Sequence, residues 1–178
     1  CLTILYGSAM AVREQHLKRR LAYSTMSNLS YVLFGVLLMT PQGLAAGLTH
    51  MVYHGLMKIA LFCCVGAVMI YTGRSDIRQM RGLSRSMPFT AAVFLVCGAA
   101  LVGVPPLCGF FSKWQLAQGA LASGVAVFSW LGPVVLLISA LLTAGYLLPI
   151  SIRGFFPGHD GEGIGEAADG LAGQAVRR

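Results

Sequence analysis

Two histidines and a lysine recur at four-residue intervals in this 178-residue chain, as His50, His54 and Lys58. In an α-helix of about 3.6 residues per turn, positions four apart lie above one another on one face. The flanking residues 43–48 and 59–70 are almost entirely apolar, which places the ionisable stripe near the middle of a membrane span. A charge at that depth costs at least about 2.5 kcal/mol unless it faces protein or water, so such residues usually mark an ion or proton path. The spacing therefore predicts a helix that handles protons inside a membrane.

Lys58 is the residue of this stripe that is hardest to explain as a surface group. It is expected roughly 20 Å along its helix, too deep for its side chain to reach water at the membrane boundary. One interpretation is a proton relay, because a neighbouring charge can decide whether a lysine held away from water is protonated. The other is a structural lysine bonded to helix carbonyls or to a buried acid. The pattern favours the relay.

The two histidines allow three interpretations. Imidazole takes up and releases a proton near neutral pH, so His50 and His54 can pass protons along the face that they share with Lys58. Each is alternatively a packing residue of the bundle. A His-x₃-His pair also suits a metal, but no acid or cysteine on that face completes a site. Proton transfer is favoured, and no metal is predicted.

Lys113 follows a break in the apolar pattern. The segment Gly103-Val104-Pro105-Pro106-Leu107-Cys108-Gly109 contains two adjacent prolines and two glycines, which end a helix. Broken membrane helices leave backbone groups unpaired and are common places for ion sites. The alternative is a lysine near the membrane boundary whose ammonium extends into water. The residues alone leave both interpretations open.

The composition indicates a membrane protein and argues against a nucleic-acid partner. Charged residues make up 11% of the chain and hydrophobic residues 56%, whereas soluble domains carry about 25% charged residues. The net charge of +7 comes mainly from basic clusters at 13–20 and 74–85, which lie between apolar runs as cytoplasmic loops do. The five cysteines form no C-x-x-C pair. With no nucleotide-binding loop or haem motif either, no cofactor is predicted.

The apolar runs predict an all-α, polytopic transmembrane helix bundle over residues 1–156, with about five spans and a partial first helix. Helices are expected at 2–12, 21–39, 44–71, 89–104, 110–123 and 130–152, with a turn at 40–43. Two interpretations are open for the polar residues Tyr23, Ser24, Thr25 and Ser27, a hydrogen-bonded water chain and the packing of helices together, and packing is favoured for most of them. Residues 157–178 predict a disordered polar tail. Because the chain opens on Cys1 with a run too short to span, we expect a fragment of a longer protein.

Four ordered motifs together resemble one family of membrane proteins. They are His16-Leu17-Lys18-Arg19-Arg20-Leu21-Ala22-Tyr23-Ser24-Thr25-Met26-Ser27, His50-x₃-His54-x₃-Lys58-x₂-Leu61-Phe62, Met80-Arg81-Gly82-Leu83-x₃-Met87-Pro88 and Gly103-Val104-Pro105-Pro106-x₂-Gly109-Phe110-x-Ser112-Lys113. In this order they look like the antiporter-like subunits of respiratory complex I, Mrp-type sodium/proton antiporters and membrane-bound hydrogenases. The resemblance covers residues 18–121.

The resemblance implies a fold of about fourteen helices with two inverted five-helix repeats, each containing a broken helix. This chain would match the second repeat. His50, His54 and Lys58 would then belong to a hydrophilic axis that carries protons, and Lys113 would lie on the broken helix at the outlet. The family's first repeat, with its buried glutamate–lysine pair, is absent from this sequence, so no transport is expected from the chain alone.

We expect a proton-translocating, itself non-catalytic subunit of a redox-driven complex of the NADH:quinone oxidoreductase or membrane-bound hydrogenase type. It would be a multi-pass protein of the inner (cytoplasmic) membrane. Its partners would be lipid, other membrane subunits and soluble redox subunits. Two alternatives stay open: a subunit of a multisubunit Na⁺(K⁺)/H⁺ antiporter with no redox partner, and a non-functional fragment. The motifs do not choose the coupling ion.

Overall fold

The computed structural model describes residues 1–72 and 86–155, and within these ranges the chain forms six α-helices. They are α1 (Leu2–Arg13), α2 (Leu17–Leu37), α3 (Pro41–Thr72), α4 (Pro88–Val102), α5 (Cys108–Leu121) and α6 (Ala126–Phe155). The all-α prediction is confirmed. Most of the predicted basic loop at 72–87 and the whole predicted tail at 157–178 lie outside the described residues.

The second helix begins four residues earlier than the sequence pattern predicts. α2 starts at Leu17, so Lys18, Arg19 and Arg20 occupy its first turns and do not form a loop. Lys18 and Arg19 are exposed, whereas Arg20 is buried and donates to backbone carbonyls at the end of α1. A helical start is therefore compatible with three consecutive basic residues, because the charge of the third is stabilised by hydrogen bonds to backbone carbonyls.

The predicted turn at 40–43 is shorter in the structure because α3 begins at Pro41. Proline is well tolerated at the first helical position, where its missing N–H would have no helical partner. The side-chain oxygen of Thr40 accepts the backbone N–H of Gly43 at 3.0 Å, which caps the helix start. Lys58 therefore lies near the centre of a 32-residue helix.

Glycines bring α2, α3 and α5 into backbone contact beside this turn. A Cβ atom on Gly35 of α2 would lie 2.7 Å from the carbonyl oxygen of Gly43 and 2.9 Å from the Cα of Gly47, both on α3. A Cβ on Gly119 of α5 would lie 3.2 Å from the Cα of Gly43. Small residues permit this close approach, as is common between membrane helices. We call this contact the glycine seam.

The remaining helices complete the bundle around α3. α3 also packs against α4 and α5, while α6 packs against α1, α4 and α5. α6 is longer than the predicted 130–152 and contains Pro133 and Pro149. One apolar cluster centres on Leu21, Leu61 and Tyr146, and a second on Tyr31 and Leu116.

The distribution of side chains is that of a membrane bundle. Large apolar residues such as Leu33, Leu56 and Leu137 are more than half exposed, whereas Lys58 and Lys113 are buried. α3 and α6 are long and apolar enough to cross a membrane, and α4 is apolar but shorter. Hydrocarbon surroundings favour this arrangement, in which the exterior is apolar and the ionisable side chains lie inside the bundle.

Candidate functional site

The ionisable stripe of α3 faces the interior of the bundle, as its spacing predicts. His50, His54 and Lys58 are 0%, 3% and 6% exposed. The two imidazole rings are stacked, with centroids 6.1 Å apart and an interplanar angle of 16°. Because ring N–H groups lie in the ring plane, stacked imidazoles do not hydrogen-bond to each other directly.

Lys58 extends from α3 to the backbone of α2. Its Nζ donates to the carbonyl oxygen of Leu21 at 2.8 Å. That carbonyl also accepts the hydroxyl of Thr25 at 2.9 Å. Lys58 thus makes the bond to a helix carbonyl that the structural interpretation expects. This bond uses one of the three N–H donors of an ammonium group. Anchoring to a carbonyl and proton transfer are therefore compatible.

His50 is bonded to two other helices. Its Nε2 lies 3.3 Å from Oδ1 of Asn28 on α2, and its Nδ1 lies 2.9 Å from Oγ of Ser112 on α5. Tyr31 packs edge-on against the ring, with centroids 5.2 Å apart. His54 differs, because neither of its ring nitrogens has a hydrogen-bond partner among the described residues. A buried imidazole without protein partners is costly unless water reaches it.

The predicted helix break lies between α4 and α5, and α5 resumes at Cys108, slightly earlier than the predicted 110. Gly103 ends α4 in a left-handed conformation with φ of 95°. Its N–H bonds the carbonyls of Ala99 and Ala100, and the N–H of Val104 also bonds that of Ala99. A helix leaves its last four carbonyls without helical partners. Those of Leu101 and Val102 thus need another donor.

Lys113 supplies that donor and is itself 9% exposed. Its Nζ donates to the carbonyl oxygens of Leu101 at 2.8 Å and Val102 at 2.9 Å. The ammonium therefore lies at the negative end of the α4 dipole, where a cation is favoured. The snorkelling alternative is wrong, because the side chain turns inward. Nζ also lies 5.6 Å from the ring centroid of Tyr31, which in turn contacts His50.

Arg20 joins three helices at one end of the bundle. Its guanidinium donates to the carbonyl of Val12 in α1, to that of Glu14 just after α1, and to that of Tyr146 on α6. In the same turn, the Glu14 carboxylate accepts the backbone N–H groups of His16 and Gln15. These bonds, the one from His16 above all, lower the pKa of the Glu14 carboxyl group.

Serines from α1, α2 and α6 form a buried hydroxyl cluster. Ser8 lies 2.8 Å from Ser27 and 2.5 Å from Ser139 between hydroxyl oxygens. Ser27 also donates to the carbonyl of Ile4 at 2.9 Å. This agrees with the packing role expected for Ser27. Thr25 bonds its own helix, whereas the Ser24 hydroxyl lacks a partner among the described residues.

The electrostatic balance of the interior is one-sided. Glu14 is the sole acid in residues 1–72 and 86–155, so neither buried lysine pairs with a carboxylate within these ranges. The same ranges contain no group of three or more His, Cys, Asp or Glu side chains placed to bind a metal. The site therefore contains two buried lysines and one imidazole, that of His50, bonded to neutral groups, and a second imidazole, that of His54, with no hydrogen-bond partner in the described ranges. Such groups can exchange protons.

The partners of His50 are not predicted by the sequence. Asn28 and Ser112 are polar residues in apolar helices, which is the available signal, but nothing in their spacing indicates that they meet at one imidazole. The bonds of Arg20 to α1 and α6 are likewise not predicted, because the sequence pattern places this residue in a loop. Each of these roles depends on contacts between helices.

Comparison with known proteins identifies this architecture. Residues 1–147 match the sequence profile of the family described as "NADH:quinone oxidoreductase/Mrp antiporter, TM". The chain belongs to this family of antiporter-like transmembrane subunits. The predicted antiporter-like helix bundle with a broken helix is thereby confirmed.

Individual relatives are similar over most of this chain. NADH-quinone oxidoreductase subunit N of Desulforudis audaxviator is 35% identical over 155 residues, which are 87% of this chain and 30% of that protein. The Mrp complex from Dietzia sp. superposes with a TM-score of 0.82 at 32% identity, covering 88% of this chain and 28% of the other. Respiratory complex I from Thermus thermophilus gives 0.79 at 30% identity, covering 98% and 37%. The chain thus spans about a quarter to a third of the length of the curated relatives it matches.

Proposed function

We propose that this chain is the proton-conducting part of a membrane subunit in a redox-driven complex of the NADH:quinone oxidoreductase type. The observation that carries the proposal is the set of four buried ionisable side chains that have no carboxylate partner in the described ranges: Lys58, His54, His50 and Lys113. Lys58, His50 and Lys113 are held by carbonyl, amide and hydroxyl groups, which are neutral, whereas His54 has no hydrogen-bond partner among the described residues.

Protons would pass between Lys58 and Lys113 by way of the histidines. His54 lies one turn from each of its neighbours on α3 and has both ring nitrogens available. Water reaching those nitrogens would connect it to Lys58 on one side and to His50 on the other. Electron transfer would belong to soluble partner subunits, and the complex would lie in the cytoplasmic membrane.

A second candidate is a subunit of an Mrp-type cation/proton antiporter. The observation favouring it is the similarity of the fold to the Mrp complex, together with 32% identity to a Na(+)/H(+) antiporter protein of Alkalihalophilus pseudofirmus. Both candidates use the same buried lysines, and they differ in what drives the protons.

The experiment is a proton-transport assay on inverted membrane vesicles containing the complete protein. Acidification driven by a reduced electron donor, together with iron–sulfur or flavin absorbance in the purified complex, supports the redox pump. Acidification that needs only a Na⁺ or K⁺ gradient supports the antiporter. Normal transport by the complete protein carrying Lys58→Ala would contradict both.

A further inference from the structure

The surroundings of His50 determine which of its two ring nitrogens exchanges a proton. This inference rests on the proposed proton-conducting function and adds to it which ring nitrogen of His50 gains and loses the proton. The residue that selects this nitrogen is Asn28, which is 1% exposed. Its side-chain amide contacts the His50 ring and a backbone carbonyl of α2, the helix that carries Asn28.

The orientation of the Asn28 amide follows from its second hydrogen bond. One end of the amide lies 2.8 Å from the carbonyl oxygen of Ser24. A carbonyl oxygen only accepts hydrogen bonds, so this end is the NH₂ group and the oxygen faces His50. The reverse orientation would place two acceptor oxygens 2.8 Å apart in a buried site, too close for a water molecule to lie between them.

The amide oxygen in turn fixes the tautomer of the imidazole. Oδ1 of Asn28 has lone pairs and no hydrogen, so Nε2 of His50 must carry the N–H that joins them. In neutral imidazole the other nitrogen then holds the lone pair. Nδ1 is therefore the basic atom, and the Ser112 hydroxyl donates to it at 2.9 Å.

Ser112 can serve both charge states of the ring. Its single hydroxyl hydrogen has a second acceptor, the carbonyl of Gly109 at 3.3 Å. When Nδ1 becomes protonated, it donates to Ser112, and the hydroxyl hydrogen turns to Gly109. Each state of His50 therefore has a complete set of hydrogen bonds, and the Asn28 bond is the same in both.

We propose that Asn28 and Ser112 are positioning residues that make His50 a one-sided proton acceptor, which gains and loses its proton at Nδ1 through Ser112. In the forward step, the serine hydroxyl passes its hydrogen to Nδ1 and its oxygen takes one proton from an ammonium or hydronium donor on the α5 side. His50 becomes an imidazolium, the donor loses one positive charge, and Ser112 stays neutral. Nε2 keeps its hydrogen throughout, so protons arrive at and leave His50 at the Nδ1 edge alone, and the water link from His54 in the proposed path would have to reach that edge.

The test is the rate of proton transport by the complete protein in its native membranes. Asn28→Leu removes the acceptor at similar volume and is expected to lower the rate about tenfold, since a buried N–H loses its partner. Asn28→Asp is expected to restore most of the rate, because a neutral carboxylic acid accepts from Nε2 and donates to Ser24 as the amide does. Rescue by Asn28→Asp would show that an acceptor for Nε2 is required at this position, and the double variant described below separates positioning of His50 from a purely structural role.

Ser112→Ala tests the other nitrogen and is expected to lower the rate by a similar factor. Its matched control is Ser123→Ala at the end of α5, because Ser123 also donates to the carbonyl three residues earlier, at 2.7 Å, and contacts no histidine. The control should transport normally. Equal rates for the two alanine variants would overturn the proposal. Where Asn28→Leu fails to assemble, this serine pair decides the outcome.

A double variant separates the inference from the proposed function. If Asn28 acts through His50, adding Asn28→Leu to His50→Gln should change the rate by less than about twofold. Independent, multiplied effects would contradict the positioning role while leaving proton conduction intact. Unchanged transport in His50→Gln alone would instead remove His50 from the proposed path, and the inference with it.

Discussion

Nζ of Lys113 lies 2.8 Å from the carbonyl oxygen of Leu101, at the end of the helix half that precedes the break. Together with its bond to Val102, this contact completes the C-terminus of α4, whose other free carbonyls are bonded by the turn itself. The buried lysine thus maintains the broken helix as well as providing a titratable group.

Replacing Lys113 should therefore destabilise the protein more than replacing Lys58. Lys113→Met leaves the buried carbonyl of Leu101 without a donor, at a cost of about 1–3 kcal/mol, and the half-buried carbonyl of Val102 also loses its bond from Nζ. Lys58→Met leaves only the Leu21 carbonyl, which keeps its bond from Thr25. The measurement is the thermal unfolding temperature of each purified variant of the complete protein. Equal unfolding temperatures would show that these carbonyls find other donors.

Lys58→Ala should abolish most proton transport while the subunit still assembles. The charge is buried between α3 and α2, and no other amine in the described ranges is positioned to replace it. Transport in vesicles is the measurement, with subunit content as the assembly check. Lys18→Ala is the control, because Lys18 is an exposed lysine on α2 and should have no effect.

Gly109→Ala should separate α5 from α4. A Cβ atom at this position would collide with the carbonyl oxygen of Ala100, so one backbone must move. Overpacking of this kind costs about 1–3 kcal/mol or more. Protease resistance of the assembled subunit reports the change. Gly145→Ala on α6 meets no atom within 4 Å and should be tolerated; similar protease sensitivity in the two variants would argue against the steric explanation.

Arg20→Lys should loosen α1 although the charge is retained. Lysine lacks the planar fork that lets the guanidinium reach carbonyls of Val12, Glu14 and Tyr146 together. We expect a lower unfolding temperature and faster proteolysis near the α1–α2 turn. Arg19→Lys, at the exposed neighbouring position, is the control. If both variants unfold alike, the charge alone is sufficient.

The sequence predicts the parts of this site that depend on spacing along one helix. The common face of His50, His54 and Lys58, and the break before Lys113, follow from helical periodicity and from proline chemistry. The contacts of these residues do not, since they join segments far apart in the chain. Lys58 bonds to Leu21, and Ser8 bonds to Ser139, through packing that no local pattern encodes.

Helix starts show the same limit on a smaller scale. Three consecutive basic residues suggest a loop, but Arg20 is held by carbonyls that only the folded α1 presents. Likewise, Thr40 can cap α3 only because Pro41 is the first helical residue and not part of a turn.

The glycine seam limits the direction in which charge can move through this bundle. The polar face of α3 runs from Lys58 through His54 to His50, and the next positions on that face are Gly47 and Gly43. There the backbones of α2, α3 and α5 touch, and not even a methyl group fits between them. A proton proposed to reach His50 thus has no onward route parallel to the helix axis. Its displacement must turn sideways, toward α5, so conduction through this part of the protein would run largely in the plane of the bilayer.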